Sequence, residues 1–378
     1  MSLKSNLLSV NLIYLINKHI KSYQVKHSYN KTRQFYNSKK VKVLKEPKTL
    51  VSFHNIFFLG TDEQQDRSGT LQALGKLGEL TYFTREDGSY GQNDARVGEA
   101  RRKANTQRLW EMVTKLAEQN KAPDVLIAQT WACLISPEVF SRIRNAYGTF
   151  IINISMDDRH QYWGDRINGD WGGTYPLIPH IDLALTAAPE AVDWYKKEGC
   201  PAIFFPEASD PDIFYPMPEL PKIHDVSFVG ACYGIRKKIV AALRKAGINV
   251  TAYGNGWGSG RLEVDEVPKL FAQSKIILGI GTIGHCDDFY ALKLRDFDAP
   301  MSGSFYLTHN NSDLYQLFDV GKEIVTYESI DECVKLVKYY LDHEEEREEI
   351  AQAGRKRALN EHRWKLRFSQ LFEQLTAL

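Results

Sequence analysis

Residues 225–257 read DVSFVGACYGIRKKIVAALRKAGINVTAYGNGW. A run rich in apolar residues over 225–229 ends at Gly230, apolar residues then recur at helical spacing up to Gly247, and a second such run covers 249–253. Two strands that are joined through a helix are typical of parallel pairing. The stretch therefore predicts a strand–helix–strand unit of an α/β sheet.

Strands and helices continue to alternate on both sides of this unit. Before it, nearly all-apolar runs typical of a parallel sheet covered on both faces lie at 53–59, 124–128, 149–154, 181–185 and 202–205. After it, further predicted strands lie at 275–278, 304–307 and 323–326. We therefore predict an α/β protein with two Rossmann-like βαβ domains that face each other across a ligand-binding cleft.

The domain boundaries follow from proline content and charge. Residues 206–221 contain five prolines, which suit neither helix interiors nor central strands and therefore predict an extended linker. We predict a basic N-terminal extension (1–50), an N-terminal domain (51–205), the linker (206–224), a C-terminal domain (225–362) and a terminal helix that packs back on the first domain (363–378).

The composition excludes several classes of protein. The 378 residues contain 48 Lys or Arg and 47 Asp or Glu, so the chain as a whole does not have the charge of a nucleic-acid-binding protein. The five cysteines form no CxxC pair, which argues against a disulfide framework or a zinc ribbon and favours a reducing cytoplasm. No apolar run is long enough to span a bilayer.

The first 50 residues carry a net charge of +10, which leaves −9 for the rest. A predicted helix here places Leu8, Leu12, Leu15 and His19 on one face, with Lys4 nearby. One interpretation is a helix that packs on the first domain or forms a dimer contact. The other is peripheral attachment to an anionic membrane, to which basic residues contribute about 1 kcal/mol each.

Two glycine turns follow predicted strands. Gly279, Gly281 and Gly284 match the GxGxxG spacing of dinucleotide sites. Such sites also need an acidic residue at the end of the next strand to bind the ribose, whereas Asp298 comes before that strand. A nicotinamide or flavin site is therefore not favoured. A glycine loop that approaches a phosphate closely is the alternative. At the other turn Arg236 begins a helix, and we expect it to bind phosphate while Lys237 and Lys238 are solvated.

Three further clusters each have two interpretations. Arg295 and Asp298 are either helical neighbours that pair on an exposed surface or part of a site. Trp257, in the glycine-rich segment that begins at Gly254, either stacks on a base or fills a core. Asp157, Asp158 and His160 belong to a polar run at the end of a buried strand. This run either faces the cleft or forms an ordinary loop.

Several of these motifs, taken in order, resemble one family. The segments 292–341, from LKLRDFDAPMSGSFYL to LVKYYL, and 347–364, REEIAQAGRKRALNEHRW, are similar to the C-terminal domain of CgeB-like spore-maturation glycosyltransferases. FFPEASDPDIFYP at 204–216 resembles the interdomain segment of that family, and 225–257 resembles its first strand–turn–helix. These proteins are related to the group 1 glycosyltransferases, which have the GT-B fold.

The resemblance implies a nucleotide-sugar donor on the C-terminal domain, a hydroxyl acceptor on the N-terminal domain, and no metal or other cofactor. In the family pattern an acid binds the donor ribose, and the matching residue is Asp298. Arg236 matches the diphosphate-binding turn, while Lys293 and Arg295 match basic positions before the acid. The predicted catalytic residues are Asp298 and Arg295, and the predicted donor-binding set is Gly230, Arg236, Gly254, Trp257, Gly281, Gly284, Lys293, Arg295 and Asp298. The acceptor-side candidates are Asp157, Asp158 and His160.

The chain departs from the family at two positions. Asp298 replaces the usual Glu, and Tyr290 stands where group 1 relatives carry a second Glu eight residues earlier. The resemblance favours a transferase that retains the anomeric configuration. Two alternatives remain, which are a nucleotide-sugar epimerase on the same fold and a coat or assembly protein that keeps only the nucleotide-sugar pocket.

Overall fold

A computed structural model describes residues 3–42 and 53–376, with side chains from residue 20 onward. The elements of the N-terminal part, in chain order, are α1 (Leu3–Ser38), β1 (Asn55–Leu59), α2 (Glu63–Asp66), α3 (Thr70–Gly75), β2 (Glu79–Tyr82), α4 (Gly98–Glu118), β3 (Val125–Ala128), α5 (Glu138–Tyr147), β4 (Phe150–Ser155), α6 (Asp158–Gln161), β5 (Arg166–Ile167), β6 (Asp170–Trp171), β7 (Leu183–Thr186), α7 (Pro189–Lys197) and β8 (Ala202–Phe204). The elements of the C-terminal part are β9 (His224–Val229), α8 (Arg236–Lys245), β10 (Val250–Tyr253), α9 (Val267–Ala272), β11 (Ser274–Leu278), α10 (Arg295–Met301), β12 (Phe305–His309), β13 (Val325–Tyr327), α11 (Ile330–Asp342), α12 (Glu344–Glu361) and α13 (Trp364–Thr376).

Two parallel sheets organise the chain. The first has the strand order β2-β1-β3-β4-β7-β8, the second has the order β10-β9-β11-β12-β13, and β5 and β6 form a separate antiparallel hairpin. Helices cover the sheets, as the apolar strands require. The prediction of an α/β fold with two Rossmann-like domains is confirmed.

The chain crosses between the domains twice, and the two crossings lie side by side. The first is the segment between β8 and β9, and the second is the turn between α12 and α13. Ser209 in the first crossing accepts from the amide of Trp364 (3.1 Å) and donates its own amide to the carbonyl of His362 (2.9 Å). The last helix then packs on the first domain through Trp364, Phe368, Leu371, Phe372 and Leu375.

The N-terminal helix packs on the first domain through its second half. Tyr36 is buried in that domain's core, where its hydroxyl donates to Glu198 (2.7 Å) and lies 3.1 Å from the hydroxyl of Tyr162. The apolar face predicted over residues 8–19 lies outside the part of the chain whose side chains are described. None of the described helices combines the length and hydropathy needed to cross a bilayer.

Candidate functional site

A cleft of about 440 Å³ lies between the two domains. Its walls come from loops that follow the carboxyl ends of strands in both sheets: Gln129 after β3, Asp157 after β4, Gly230 after β9 and Gly254 after β10. Ligands of open α/β sheets bind at this edge, because the turns present backbone N–H groups and helix N-termini there. The cleft is therefore the candidate active site.

Two arginines border the turn after β9. Arg236 is 3 % exposed, and its guanidinium donates to the carbonyls of Ala231 (3.1 Å) and Ile280 (3.2 Å). Arg295, which lines the cleft, also donates to Ile280 (3.3 Å) and to the carbonyl of Val229. The structure therefore brings together two predicted residues that are 59 positions apart in the sequence.

The charge of this arginine pair is not balanced by the hydrogen bonds that it makes. Those bonds go to neutral carbonyls, and the Nε–H group of each arginine is buried without an acceptor. Burial and the positive charge of Arg295 lower the pKa of Arg236 to about 10. An anion placed against the pair would supply both the missing acceptors and the missing charge.

Glycine makes the turn between these arginines possible. A Cβ atom on Gly230 would lie 2.8 Å from Nη1 of Arg295, and one on Gly254 would lie 2.4 Å from the carbonyl oxygen of Gly230. The two predicted glycines therefore let the turns and the guanidinium approach each other.

Four predicted donor residues are absent from the lining of the cleft: Arg236, which lies behind Arg295 at the turn, and Trp257, Gly281 and Gly284. The indole N–H of Trp257 donates to the carbonyl of Gly230 (2.7 Å), so Trp257 holds the turn instead of offering a stacking face. The carbonyl of Gly281 accepts from the backbone amide of Ala291 (2.9 Å), and Gly284 is exposed. Lys237 and Lys238 are exposed as expected, and Lys238 pairs with Asp287 (3.1 Å).

Asp298 lies in the floor of the cleft, on α10. It is 5 % exposed, its Oδ1 has no hydrogen-bond partner, and burial raises the pKa of its carboxyl well above the ordinary value. The interpretation as an exposed pair with Arg295 is therefore wrong, because α10 is buried and Arg295 donates to backbone carbonyls. Lys293 lines the same floor.

Glu207 is a floor residue that the sequence did not single out. It lies in the proline-rich crossing, it is 4 % exposed, and its Oε2 has no hydrogen-bond partner. Burial raises the pKa of Glu207 to about 7, with smaller contributions from Asp296 and Asp157, while Lys293 acts in the opposite direction. Its position between prolines predicted only a linker, so nothing in the sequence indicated its burial.

We expect Glu207→Gln to stabilise the protein at neutral pH relative to the wild type. Between pH 4.5 and 7 the unfolded state loses the Glu207 proton while the folded state keeps it, so wild-type stability falls as the pH rises. The glutamine variant avoids this loss, which is at most about 3 kcal/mol. Thermal unfolding from pH 4 to pH 8 should show the difference in Tm growing through this window. A constant difference would contradict the assignment.

The acceptor-side candidates occupy different surroundings. Asp157 lines the cleft, and Nε2 of His160 lies 3.8 Å from its Oδ1. Burial lowers the pKa of His160. Asp158 instead lies in the core of the first domain, so the structure does not bring it to the cleft. Its carboxylate accepts from the hydroxyl groups of Thr174, Thr186 and Tyr195. The lining also contains Gln129, Trp131 and Arg261, which the sequence did not indicate.

Residues 236–373 match a family model described as glycosyl transferase-like. The prediction of a glycosyltransferase is confirmed. Its CgeB-like subfamily and the roles of the individual site residues stay predictions. No group of His, Cys, Asp and Glu side chains arranged to hold a metal occurs among the described residues.

The fold of this glycosyltransferase is similar to solved structures at low sequence identity. Sucrose-phosphate synthase from Thermosynechococcus elongatus aligns with a TM-score of 0.61 and 11% identity, over 85% of this chain and 99% of that one. Anabaena HepE, in complex with UDP and glucose, aligns at 0.59 and 11% with the same coverage. A DNA-modifying β-glucosyltransferase aligns at 0.56 and 13%, again over 85% and 99%. No curated protein matches the sequence.

A clasp outside the cleft joins the two domains of this glycosyltransferase. Arg159 on α6 donates to both carboxylate oxygens of Glu190 (2.8 and 3.0 Å) and to both of Asp313 in the C-terminal domain (3.0 and 2.6 Å). Tyr29 on α1 donates to Glu190 (2.9 Å) and packs against Phe289 of the C-terminal domain (4.8 Å between ring centroids). Helix α1 therefore contacts both domains.

Replacing Arg159 by alanine should lower the unfolding free energy by about 2 kcal/mol. The loss lies between that of a surface ion pair and that of a buried one, because the variant leaves the nearly buried Asp313 without its partner. Calorimetric unfolding of the variant and the wild type measures it. Lys322→Ala, which breaks a pair with Asp319 in which both side chains are exposed, is the control and should change the Tm little. Equal effects of the two variants would show that the clasp contributes nothing.

Proposed function

We propose that the cleft binds a nucleoside-diphosphate sugar, with the diphosphate against Arg236 and Arg295 and the ribose hydroxyls on Asp298. The observation that supports this most is the arginine pair, whose Nε–H groups are buried without acceptors beside a glycine turn. Anabaena HepE is described in complex with UDP and glucose, and the DNA-modifying β-glucosyltransferase with uridine diphosphoglucose as its substrate, so uridine nucleotides are the first candidates.

The reaction that we propose is transfer of the sugar to an acceptor hydroxyl. The bond between the anomeric carbon and the diphosphate oxygen breaks, and its electron pair leaves with the diphosphate. The hydroxyl oxygen forms the new bond, and its proton passes to a carboxylate, for which Asp157 and Glu207 are our candidates. Guanidinium groups fixed near the leaving diphosphate stabilise the charge that develops on it.

We further propose that the arginine pair carries this charge without a resident metal, and that the transfer retains the anomeric configuration. The first proposal rests on the chemistry of the pair and the second on the family resemblance alone. Activity that survives chelation of divalent cations supports the proposal that no resident metal is needed. The anomeric proton coupling in the NMR spectrum of the product shows whether the anomeric configuration is retained.

A thermal-shift screen of UDP-, GDP-, dTDP- and CMP-sugars tests the proposed donor. A donor at about 100 times its Kd should stabilise the protein by about 2.7 kcal/mol. Incubation of that donor without an acceptor then separates an epimerase, which converts it to an isomer, from a transferase, which at most hydrolyses it. A nucleotide that binds but is not turned over with any acceptor pool would favour the assembly protein, and no stabilisation by any donor would contradict the proposal.

A further inference from the structure

The two sides of the cleft differ in charge. The three lysines and arginines that line it all belong to the C-terminal domain: Arg261, Lys293 and Arg295. The opposite side comes from the first domain and the crossing, and we call its amide, indole and carboxyl residues the acceptor wall: Gln64, Gln65, Gln129, Trp131, Asp157 and Glu207. The described residues of the acceptor wall therefore contain hydrogen-bonding groups and negative charges but no positive charge.

Several groups of the acceptor wall lack a partner. The indole Nε1 of Trp131 is buried without an acceptor, and Oε2 of Glu207 is buried without a donor. Gln129, which is 8 % exposed, lines the cleft beside them. Buried polar groups are normally hydrogen-bonded, and these therefore indicate a ligand that both donates and accepts. Hydroxyl groups do both.

The carboxyl groups also indicate what the wall excludes. Asp157 and Glu207 lie on the acceptor side, where Glu207 carries its charge above a pKa of about 7. The arginine pair, which would attract an anion, is occupied by the donor diphosphate under the proposed function. At pH 8 a phosphate group on the acceptor would therefore face two carboxylates of the same charge sign in the cleft, and like charges repel.

We infer that the acceptor is an uncharged polyhydroxy compound, a sugar or polyol, and that the acceptor wall discriminates against its phosphorylated form. The inference rests on the proposed function, because it assigns the arginine pair to the donor. It names the chemical class of the second substrate, which neither the fold nor the family match specifies.

Matched pairs of sugars test the inference directly. The protein is first saturated with whichever of UDP, GDP or dTDP stabilises it most. Glucose, mannose and fructose are then titrated beside their 6-phosphates, and binding is followed by saturation-transfer NMR. We expect at least one neutral sugar to bind at least tenfold more tightly than its phosphate. Equal or tighter binding of the phosphates, or no binding of any neutral sugar, would overturn the inference.

A pair of glutamate variants tests whether the wall causes the preference. Glu207→Gln keeps the size and removes the charge, and we expect it to reduce the preference for the neutral sugar at pH 8 severalfold. Glu219→Gln, at an exposed position in the same crossing, should leave the preference unchanged. An unchanged preference in Glu207→Gln would remove Glu207 from the acceptor wall.

The failure of this inference is distinguishable from failure of the proposed function. If no nucleotide binds, the proposed donor site is wrong, and the sugar titrations are then read without nucleotide. If a nucleotide binds and the phosphorylated sugars are preferred, the donor site stands and the inference falls.

Discussion

Replacing Arg236 and Arg295 together by alanine is expected to weaken binding of the donor and of the free nucleoside diphosphate by two to four orders of magnitude. Each arginine would contribute a charge-assisted hydrogen bond to phosphate of about 1.5–3 kcal/mol, and the double variant loses both. Each single variant should lose about ten- to a hundredfold. Isothermal titration with the donor and with its nucleoside diphosphate measures both losses.

The expected effect on the unliganded protein is much smaller. Arg236 stacks on Tyr233, with 4.0 Å between the guanidinium and the ring centroid, and Arg295 lies 4.8 Å from the ring of Phe228. Alanine removes these contacts, but it also removes repulsion between two like charges that face each other across the turn. Alanine also removes the hydrogen bonds that both guanidinium groups donate to backbone carbonyls, so the relief of repulsion offsets only part of the loss. The free energy of unfolding without ligand should therefore fall, but by less than the free energy of donor binding.

Lys238→Ala is the control for the arginine variants. Its side chain is exposed on the same helix and pairs with Asp287, so its removal should leave nucleotide affinity nearly unchanged. A similar loss of affinity in Lys238→Ala and Arg236→Ala would mean that the phosphate lies outside the turn. Arg236→Lys separates charge from geometry, because lysine keeps the charge but cannot donate in two directions from a planar group.

The sequence predicted the elements whose signals are local. Strand β9, its glycine turn and α8 lie where the apolar periodicity indicated. The sequence did not predict β2, a four-residue edge strand that is largely half-buried and lacks a continuous apolar run. Its place depends on pairing with β1, which is a property of the sheet.

Burial of charged residues was the part that could not be predicted. Helix α10 reads as a charged, exposed segment, yet Asp296 and Asp298 are both buried because the helix lies between the second sheet and α12. Glu207 is buried because two crossings meet beside it. Asp158 has nearly the same sequence context as Asp157, but it is the first residue of α6 and its carboxylate accepts hydrogen bonds from buried hydroxyl groups. These outcomes depend on tertiary packing, which no local pattern encodes.

A binding role and a structural role of Asp298 have opposite consequences for its variants. As the ribose ligand it would accept from two hydroxyl groups, and Asp298→Ala should reduce donor affinity by about 3–6 kcal/mol. In the unliganded protein Oδ1 has no partner and burial penalises the charge, so Asp298→Asn should keep or raise the Tm at pH 8. A residue that mainly stabilises the fold would instead lower the Tm in both variants and leave affinity unchanged.

Asp298→Glu tests the shape of the same site. It restores the residue of the family that the chain resembles, and the added methylene extends the carboxylate toward the cleft that Asp298 already lines. If the ribose lies as far from the backbone of residue 298 as the longer Glu of the family requires, donor affinity should persist or rise. If Phe271 and Arg295, which line the cleft beside Asp298, have closed around the shorter side chain, the extra carbon collides with them and affinity falls. Titration of the three variants with one donor, beside their melting curves without it, therefore decides between a ligand and a core residue. An Asp298→Ala protein that binds the donor as tightly as the wild type would remove Asp298 from the site.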